Sequence, residues 1–477
     1  MDDPVCLSIR FVPAIASKAA SILYGKGLDK KAQLATLLAD LNDFVRKLGF
    51  EVTTTGAVTM CICGSAERFE AVFNTKAPPG GWSAQGFEAV DQRALDAIAA
   101  QLPGFIEDIA LQRSSRPAFV GDWPPPPPGP GCLRLLEDVP SILGADPVHA
   151  ANCTGAGVSV AVIDLDFDFE HRFFAEREVQ CRRRLASGGG AAAAAGETGH
   201  GTAMAALVAA MAPGADIVGM QLRDGVLLEG LDAILDGTEP LPDVISISLT
   251  RDMCDRAAGT CWTTLPLDLE HVAAEINLAF VHGVTFVAGA GNGDYGFPAA
   301  MKQVIAVGGV QLDNAQTLSA WDGSSAFASA ITSGDCKDRF VPDISGLAGR
   351  ARGAYIVLPV PPGSTFEQDF PLSAAVLPGT GWALFSGTSG ATAQVAGVCA
   401  LVLAKKDLGP PQLKNLLRNT ARKVTRGSAS PDSNLQHAVG LSTVGRPFGA
   451  TGYGLVDAHE AWLRADDRDW TRALREP

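Results

Sequence analysis

Two hydrophobic rhythms alternate along the chain. Residues 158–164 (Val158, Ser159, Val160, Ala161, Val162, Ile163, Asp164) form an apolar, β-branched run that ends in a carboxylate. A run of that kind predicts a parallel strand buried on both faces. Similar runs lie at 216–222, 243–249, 284–288 and 303–307, separated by helical patterns from His200, over 267–282 and from Ser389. Strands alternating with helices predict an α/β fold, a doubly wound and mostly parallel sheet with helices on both faces. The first part of the chain reads differently. Residues 5–12 predict a strand, and Leu34, Leu37, Leu38, Leu41, Phe44, Val45 and Leu48 share one face of a helix over 30–48. Strands over 50–55 and 58–63, joined at Gly56, and an amphipathic helix over 66–73 complete a small α+β domain.

These patterns set the expected domains: 1–119, a linker over 120–132, a main domain over 133–465, and a C-terminal tail over 466–477. Five prolines from Pro124 to Pro128, then Gly129, Pro130 and Gly131, make the linker a stiff extended spacer. The basic run at 182–184, followed by glycines at 188–190 and alanines at 191–195, is expected to be a surface loop.

Charge and cysteine content narrow the function classes. A net charge of −14 argues against a nucleic-acid partner, whose phosphates require a basic face. No apolar run is long enough for a membrane span. The first residues lack the basic and apolar regions of a signal peptide, so a chain starting at Met1 is expected to stay in the cytoplasm. Free thiols are then expected for most of the 10 cysteines, with Cys254 and Cys261 bracketing a loop that a disulfide would close under oxidising conditions.

The candidate chemistry sits at the ends of the predicted elements. Gly387-Thr388-Ser389 runs straight into a small-residue helix, which sets the Ser389 hydroxyl among unpaired N–H groups at a helix start. A serine so placed is a nucleophile only if a base takes its proton. Gly199-His200-Gly201-Thr202 opens another such helix and supplies the base, and Asp164 closes a buried strand and supplies its orienter. Asn292, flanked by Gly291 and Gly293, follows the strand over 284–288 and supplies an oxyanion donor. Asp164, Asp166 and Asp168 also have the spacing that opens a calcium loop, but the positions needing glycine and glutamate hold Phe169 and Ala175, so that reading fails.

In this order and setting, the Asp164, His200, Asn292 and Ser389 motifs resemble those of the subtilisin-like serine proteases, the subtilases. The resemblance runs roughly from Leu133 to Leu463 and implies a serine endopeptidase with a protein or peptide substrate. It also implies an N-terminal prodomain packed on the catalytic domain. By the same resemblance, Ser248, Leu249 and Thr250 form the edge that pairs with substrate backbone, and Ala288, Gly289 and Ala290 one wall of the first specificity pocket. No cofactor is expected; subtilases often bind structural calcium, but no residues here identify a site. The words around Pro342 and Asp343 are closer to sedolisins, which use acidic residues where this chain has His200 and Asn292. The chain departs from the common pattern at Leu165-Asp166, at Ala203, and at Gly390 and Ala393, where Met and Pro are usual. Gly390 and Ala393 leave peptide ligation or transpeptidation as an alternative chemistry. A degenerate subtilase-fold binding protein is the alternative from another class.

Overall fold

Ser159–Asp164 lies at the middle of an eight-stranded sheet because its alternate side chains are apolar on both sides. Val160 and Val162 join the core on the face of the His200 and Ser389 helices, while Ala161 and Ile163 join the core on the opposite face. The computed structural model describes residues 5–25, 29–73, 92–112, 116–117, 132–186, 198–222, 225–255, 260–312, 317–348, 355–372, 379–433 and 449–471. Residues 120–131 of the expected linker, the loop over 188–195 and the end of the tail lie outside the described residues.

Across the sheet the order is Leu318–Ala320, Val304–Leu312, Thr285–Gly289, Val244–Ile247, Ser159–Asp164, Asp216–Gln221 and Cys181–Leu185, with Ile344–Leu347 also paired to Val304–Leu312. Its pairs are parallel except for the one between Val304–Leu312 and Leu318–Ala320. This is the doubly wound sheet that the apolar runs predict. The strand expected over 243–249 divides at Ser248: Val244–Ile247 stays in the central sheet, and Leu249–Asp252 leaves it to pair elsewhere.

The His200–Met211 and Thr388–Lys405 helices are buried through most of their length, and their small residues explain how they fit together. A Cβ at Gly397 would lie 2.5 Å from Met211 Cβ and 3.1 Å from the Val208 carbonyl oxygen, so only glycine allows this approach.

The N-terminal region holds a four-stranded antiparallel sheet in the order Glu51–Thr55, Thr59–Gly64, Val5–Phe11, Ile106–Leu111. Helices Pro13–Tyr24, Lys30–Leu37, Ala39–Leu48, Ala66–Phe73 and Gln92–Ala99 accompany it. The helix expected over 30–48 is two helices. Leu38 breaks it at φ −103° and ψ 15°, yet Leu34, Leu38, Leu41 and Val45 remain buried together. The apolar face set the pattern, and the bend at Leu38 keeps that face on the sheet.

Two further expectations are corrected. Arg182 to Arg184 lie in the edge strand Cys181–Leu185 rather than a loop, where Arg182 reaches Asp216 and Glu239, and Arg184 reaches Asp236. The free-thiol expectation fails at Cys6–Cys63 and Cys254–Cys261, which are disulfides joining residues directly opposite on antiparallel strands. Sequence separation alone could not pair Cys6 with Cys63, because only the strand register brings them together. Among the described residues, no helix is long and apolar enough to cross a membrane.

Candidate active site

The strand Ser159–Asp164 delivers Asp164 to the C-terminal edge of the sheet, beside the first residue of the His200–Met211 helix. The His200 Nδ1 lies 2.8 Å from each Asp164 carboxylate oxygen, and both side chains are buried. The Leu165 N–H also donates to Asp164 Oδ1 at 2.8 Å. A carboxylate held in this way fixes the imidazole with its proton on Nδ1 and leaves Nε2 as the basic nitrogen. Phe366 and Phe385 pack against the ring, with centroids 5.9 and 6.0 Å from it.

Ser389 is the second residue of its helix and is 4 % exposed. Its hydroxyl donates to the Ser248 carbonyl at 3.1 Å, and the Ser248 hydroxyl donates to the Ser389 carbonyl at 3.1 Å. The serine hydroxyl is thus turned toward the Ser248 carbonyl. Gly390 stands where it does for a packing reason: a Cβ there would lie 2.8 Å from the Phe385 ring.

Asn292 lies on the loop that follows Thr285–Gly289. Its Oδ1 accepts from the Thr388 N–H and the Thr388 hydroxyl, each at 2.9 Å. With Oδ1 occupied, the amide is oriented so that Nδ2 is its donor end. A Cβ on Gly387, at φ +144°, would lie 3.3 Å from that Nδ2, so glycine keeps the space beside it open.

Of the residues expected to bind substrate, Ser248 touches Ser389 directly, while Leu249 and Thr250 pair antiparallel with Pro117 and Arg116. Ala288, Gly289 and Ala290 are buried, and a Cβ on Gly289 would lie 3.2–3.3 Å from the Thr392 and Thr388 hydroxyls. This wall therefore abuts the start of the Ser389 helix.

Three acidic residues shape the site that the motifs did not single out for it. Asp294 accepts from the Asn292 N–H and the Thr250 hydroxyl, each at 2.7 Å, tying the Asn292 loop to the strand Leu249–Asp252. Burial is the main influence raising its carboxyl above the ordinary range. Glu367 accepts from the N–H groups of Gly363, Gly379, Thr380 and Gly381 and from the Thr380 hydroxyl. Burial acts to raise it, but these donors outweigh burial and hold it down to about 2. It fastens the short helix Thr365–Asp369, and so Phe366, against His200. Asp166 bonds the chain just before His200. The signal for it was present in the Asp-x-Asp spacing but pointed toward calcium.

A subtilase-family model matches residues 155–445. No curated protein matches the chain in sequence. Among solved structures, fervidolysin from Fervidobacterium pennivorans, described as a keratinolytic enzyme related to subtilisin, aligns with a TM-score of 0.57 at 16 % identity. The alignment covers 97 % of this chain and 61 % of fervidolysin, so the chain spans about three fifths of that protein's length. A lanthipeptide protease aligns with a TM-score of 0.48 at 20 % identity, covering 69 % of this chain and 95 % of its own. The family match takes in more than half of the 477 residues and includes Asp164, His200, Asn292 and Ser389, and the chain belongs to the subtilase family.

Proposed function

We propose that this chain is a serine endopeptidase acting through Ser389, His200 and Asp164. The observation that carries the reading is the buried Asp164–His200 pair at the sheet edge, with Ser389 on the neighbouring helix and Asn292 bonded to Thr388. In this reading Ser389 attacks a peptide carbonyl as His200 Nε2 takes its proton, and the imidazolium then protonates the leaving amine. Asp164 stabilises that imidazolium, and Asn292 Nδ2 with the Ser389 N–H receives the oxyanion. Water repeats the sequence on the acyl-enzyme. Active-site labelling by a fluorophosphonate is the direct test.

Asn292→Ala is expected to lower kcat by on the order of 10²–10³, with KM changed little, because an oxyanion donor acts mainly in the transition state. Equal losses in binding and turnover would count against that role.

We further propose that residues 1–119 are a prodomain packed on the catalytic domain, followed by a linker over 120–132. Backbone pairing of Arg116–Pro117 with Leu249–Thr250 supports this, since it lays the end of the N-terminal region along the substrate edge. The register counts the expected scissile bond to the one between residues 118 and 119.

Buried polar contacts support the same reading. Glu275 accepts from the N–H groups of Val58 and Thr59 at 2.9 and 3.0 Å, and Asp232 accepts from the Thr54 hydroxyl at 3.1 Å. The Thr59 hydroxyl lies 2.9 Å from Glu275 and 3.2 Å from Asp232. Burial, and then Glu275, raises Asp232 above the ordinary carboxylate range; burial raises Glu275. A group raised in the docked state contributes fully below its free value, and loses that contribution as pH rises through its docked value. Raising the pH above the ordinary carboxylate range is therefore expected to loosen the N-terminal region. On the acid side, Asp108 has the opposite sign: burial works to raise it, but His271 and Arg10 outweigh burial and hold it low. Its contribution is lost as pH falls. The melting temperature of Ser389→Ala protein should fall as pH rises above the ordinary carboxylate range, and Asp232→Asn should flatten the fall. A melting temperature that climbs with pH there would rule this out.

A further inference from the structure

We propose that Asp166 is a positioning residue for His200, holding the backbone of the base in place while Asp164 holds its ring. The inference rests on the peptidase reading only for its kinetic arm.

The His200–Met211 helix has no side chain of its own capping its start. Asp166 supplies that function from across the fold. Its Oδ2 accepts from the Thr198 N–H at 2.7 Å and the Gly199 N–H at 3.0 Å. Its Oδ1 accepts from the Thr198 hydroxyl at 2.6 Å and lies 3.2 Å from the Gly199 N–H. The His200 N–H in turn donates to Thr198 Oγ1 at 3.3 Å. A continuous path therefore runs from the backbone of His200 through the Thr198 hydroxyl to the Asp166 carboxylate.

The helix start is also pressed onto the strand exit that carries both acids. A Cβ on Gly201 would lie 2.2 Å from the Asp166 carbonyl oxygen and 3.0 Å from Asp164 Cβ. Asp164 and Asp166 are two residues apart on that exit, and both are buried. Burying a second carboxylate there is costly: burial raises its carboxyl above the ordinary range, although the Thr198 and Gly199 donors act to lower it. Satisfied donors on the two residues just before the base explain why the acid is placed there. With ring and backbone fastened to one strand exit, the imidazole has little freedom to drift from Asp164, and small drifts matter. A displacement of about 1 Å at a reacting group costs on the order of a hundredfold in rate.

The test uses Asp166→Asn in the full chain. An amide keeps the shape but turns an NH₂ toward N–H donors. The expected result is a fall in kcat of on the order of a hundredfold, with KM within about twofold. Thr198→Val, which keeps the carboxylate and removes the bridging hydroxyl, should cost roughly tenfold in kcat. A readout independent of activity is the low-field proton resonance of His200 Nδ1–H, recorded in Ser389→Ala protein with and without Asp166→Asn. Movement or broadening of that resonance, with the remaining spectrum retained, is expected. An unmoved resonance, or unchanged kcat in both variants, would overturn the proposal. Should Asp166→Asn fail to fold, the Thr198→Val resonance decides. Should wild type fail to label with a fluorophosphonate, the peptidase reading falls while the resonance still reports on Asp166.

Discussion

Ser389→Ala is expected to abolish fluorophosphonate labelling and to leave the chain at its full length, whereas wild type labels and shortens. The expectation follows from what the substitution removes. Ser389 sits at a buried helix start, and its hydroxyl is the only group the proposed chemistry gives for bonding to the carbonyl carbon. Alanine keeps the backbone N–H assigned to the proposed oxyanion site, so folding and substrate pairing should survive. Without the nucleophile, rates in such sites typically fall by about a millionfold, leaving only the contribution of binding and the oxyanion donors. The hydrogen bond to the Ser248 carbonyl lost in the variant is a single buried bond, worth on the order of 1–3 kcal/mol, so the fold should survive. Intact mass before and after incubation checks self-processing, with the cut expected between residues 118 and 119. Labelling that persists in the variant would place the reactive group elsewhere. A wild type that neither labels nor shortens would favour the binding-protein reading.

Asp343→Asn should destabilise the fold by roughly 3–5 kcal/mol, measured by urea unfolding in Ser389→Ala protein to prevent self-digestion. Asp343 is buried and meets Arg339 at 2.5 and 2.9 Å and Lys414 at 3.0 Å, while also accepting from the Ala306 N–H at 2.8 Å. Burial works to raise its carboxyl, but Arg339 and then Lys414 hold it well below the usual range. Burial lowers Lys414 to about 7, with Arg339 adding to the effect. Neutralising the acid leaves a buried guanidinium, and a buried amine, without their counter-charge, which is the costly way to break such a network. Because Asp343 is depressed in the folded state, its contribution is present above the ordinary carboxylate range and fades as pH falls through its folded value. A change below about 1 kcal/mol would show that the network contributes little net stability. The same network explains the sedolisin-like words around Pro342 and Asp343. In this chain they fasten the segment before Ile344–Leu347 to the central sheet, through Arg339 and the Ala306 N–H.

The sheet was legible because its strands are buried on both faces. Val160, Val162, Phe286 and Ile305 must be apolar wherever the helices lie, so local pattern and global position agree. The Asp164, His200, Asn292 and Ser389 motifs were legible for a related reason: each ends a strand or starts a helix, and those positions are written in glycines and small residues. The bend at Leu38, the division at Ser248 and the disulfide between Cys6 and Cys63 were not, because each depends on which strand or helix lies opposite. Asp166, Asp294 and Glu367 were hidden for the same reason. An acid in a sequence shows its charge but not its donors, and those donors come from Thr198, Thr250 and Gly379, distant in the chain and adjacent only once it has folded. Local pattern in the chain marked the periodic core and the candidate side chains, since burial and helix starts leave local traces. Tertiary structure alone decided which polar groups meet, because hydrogen-bond partners are chosen by proximity in space.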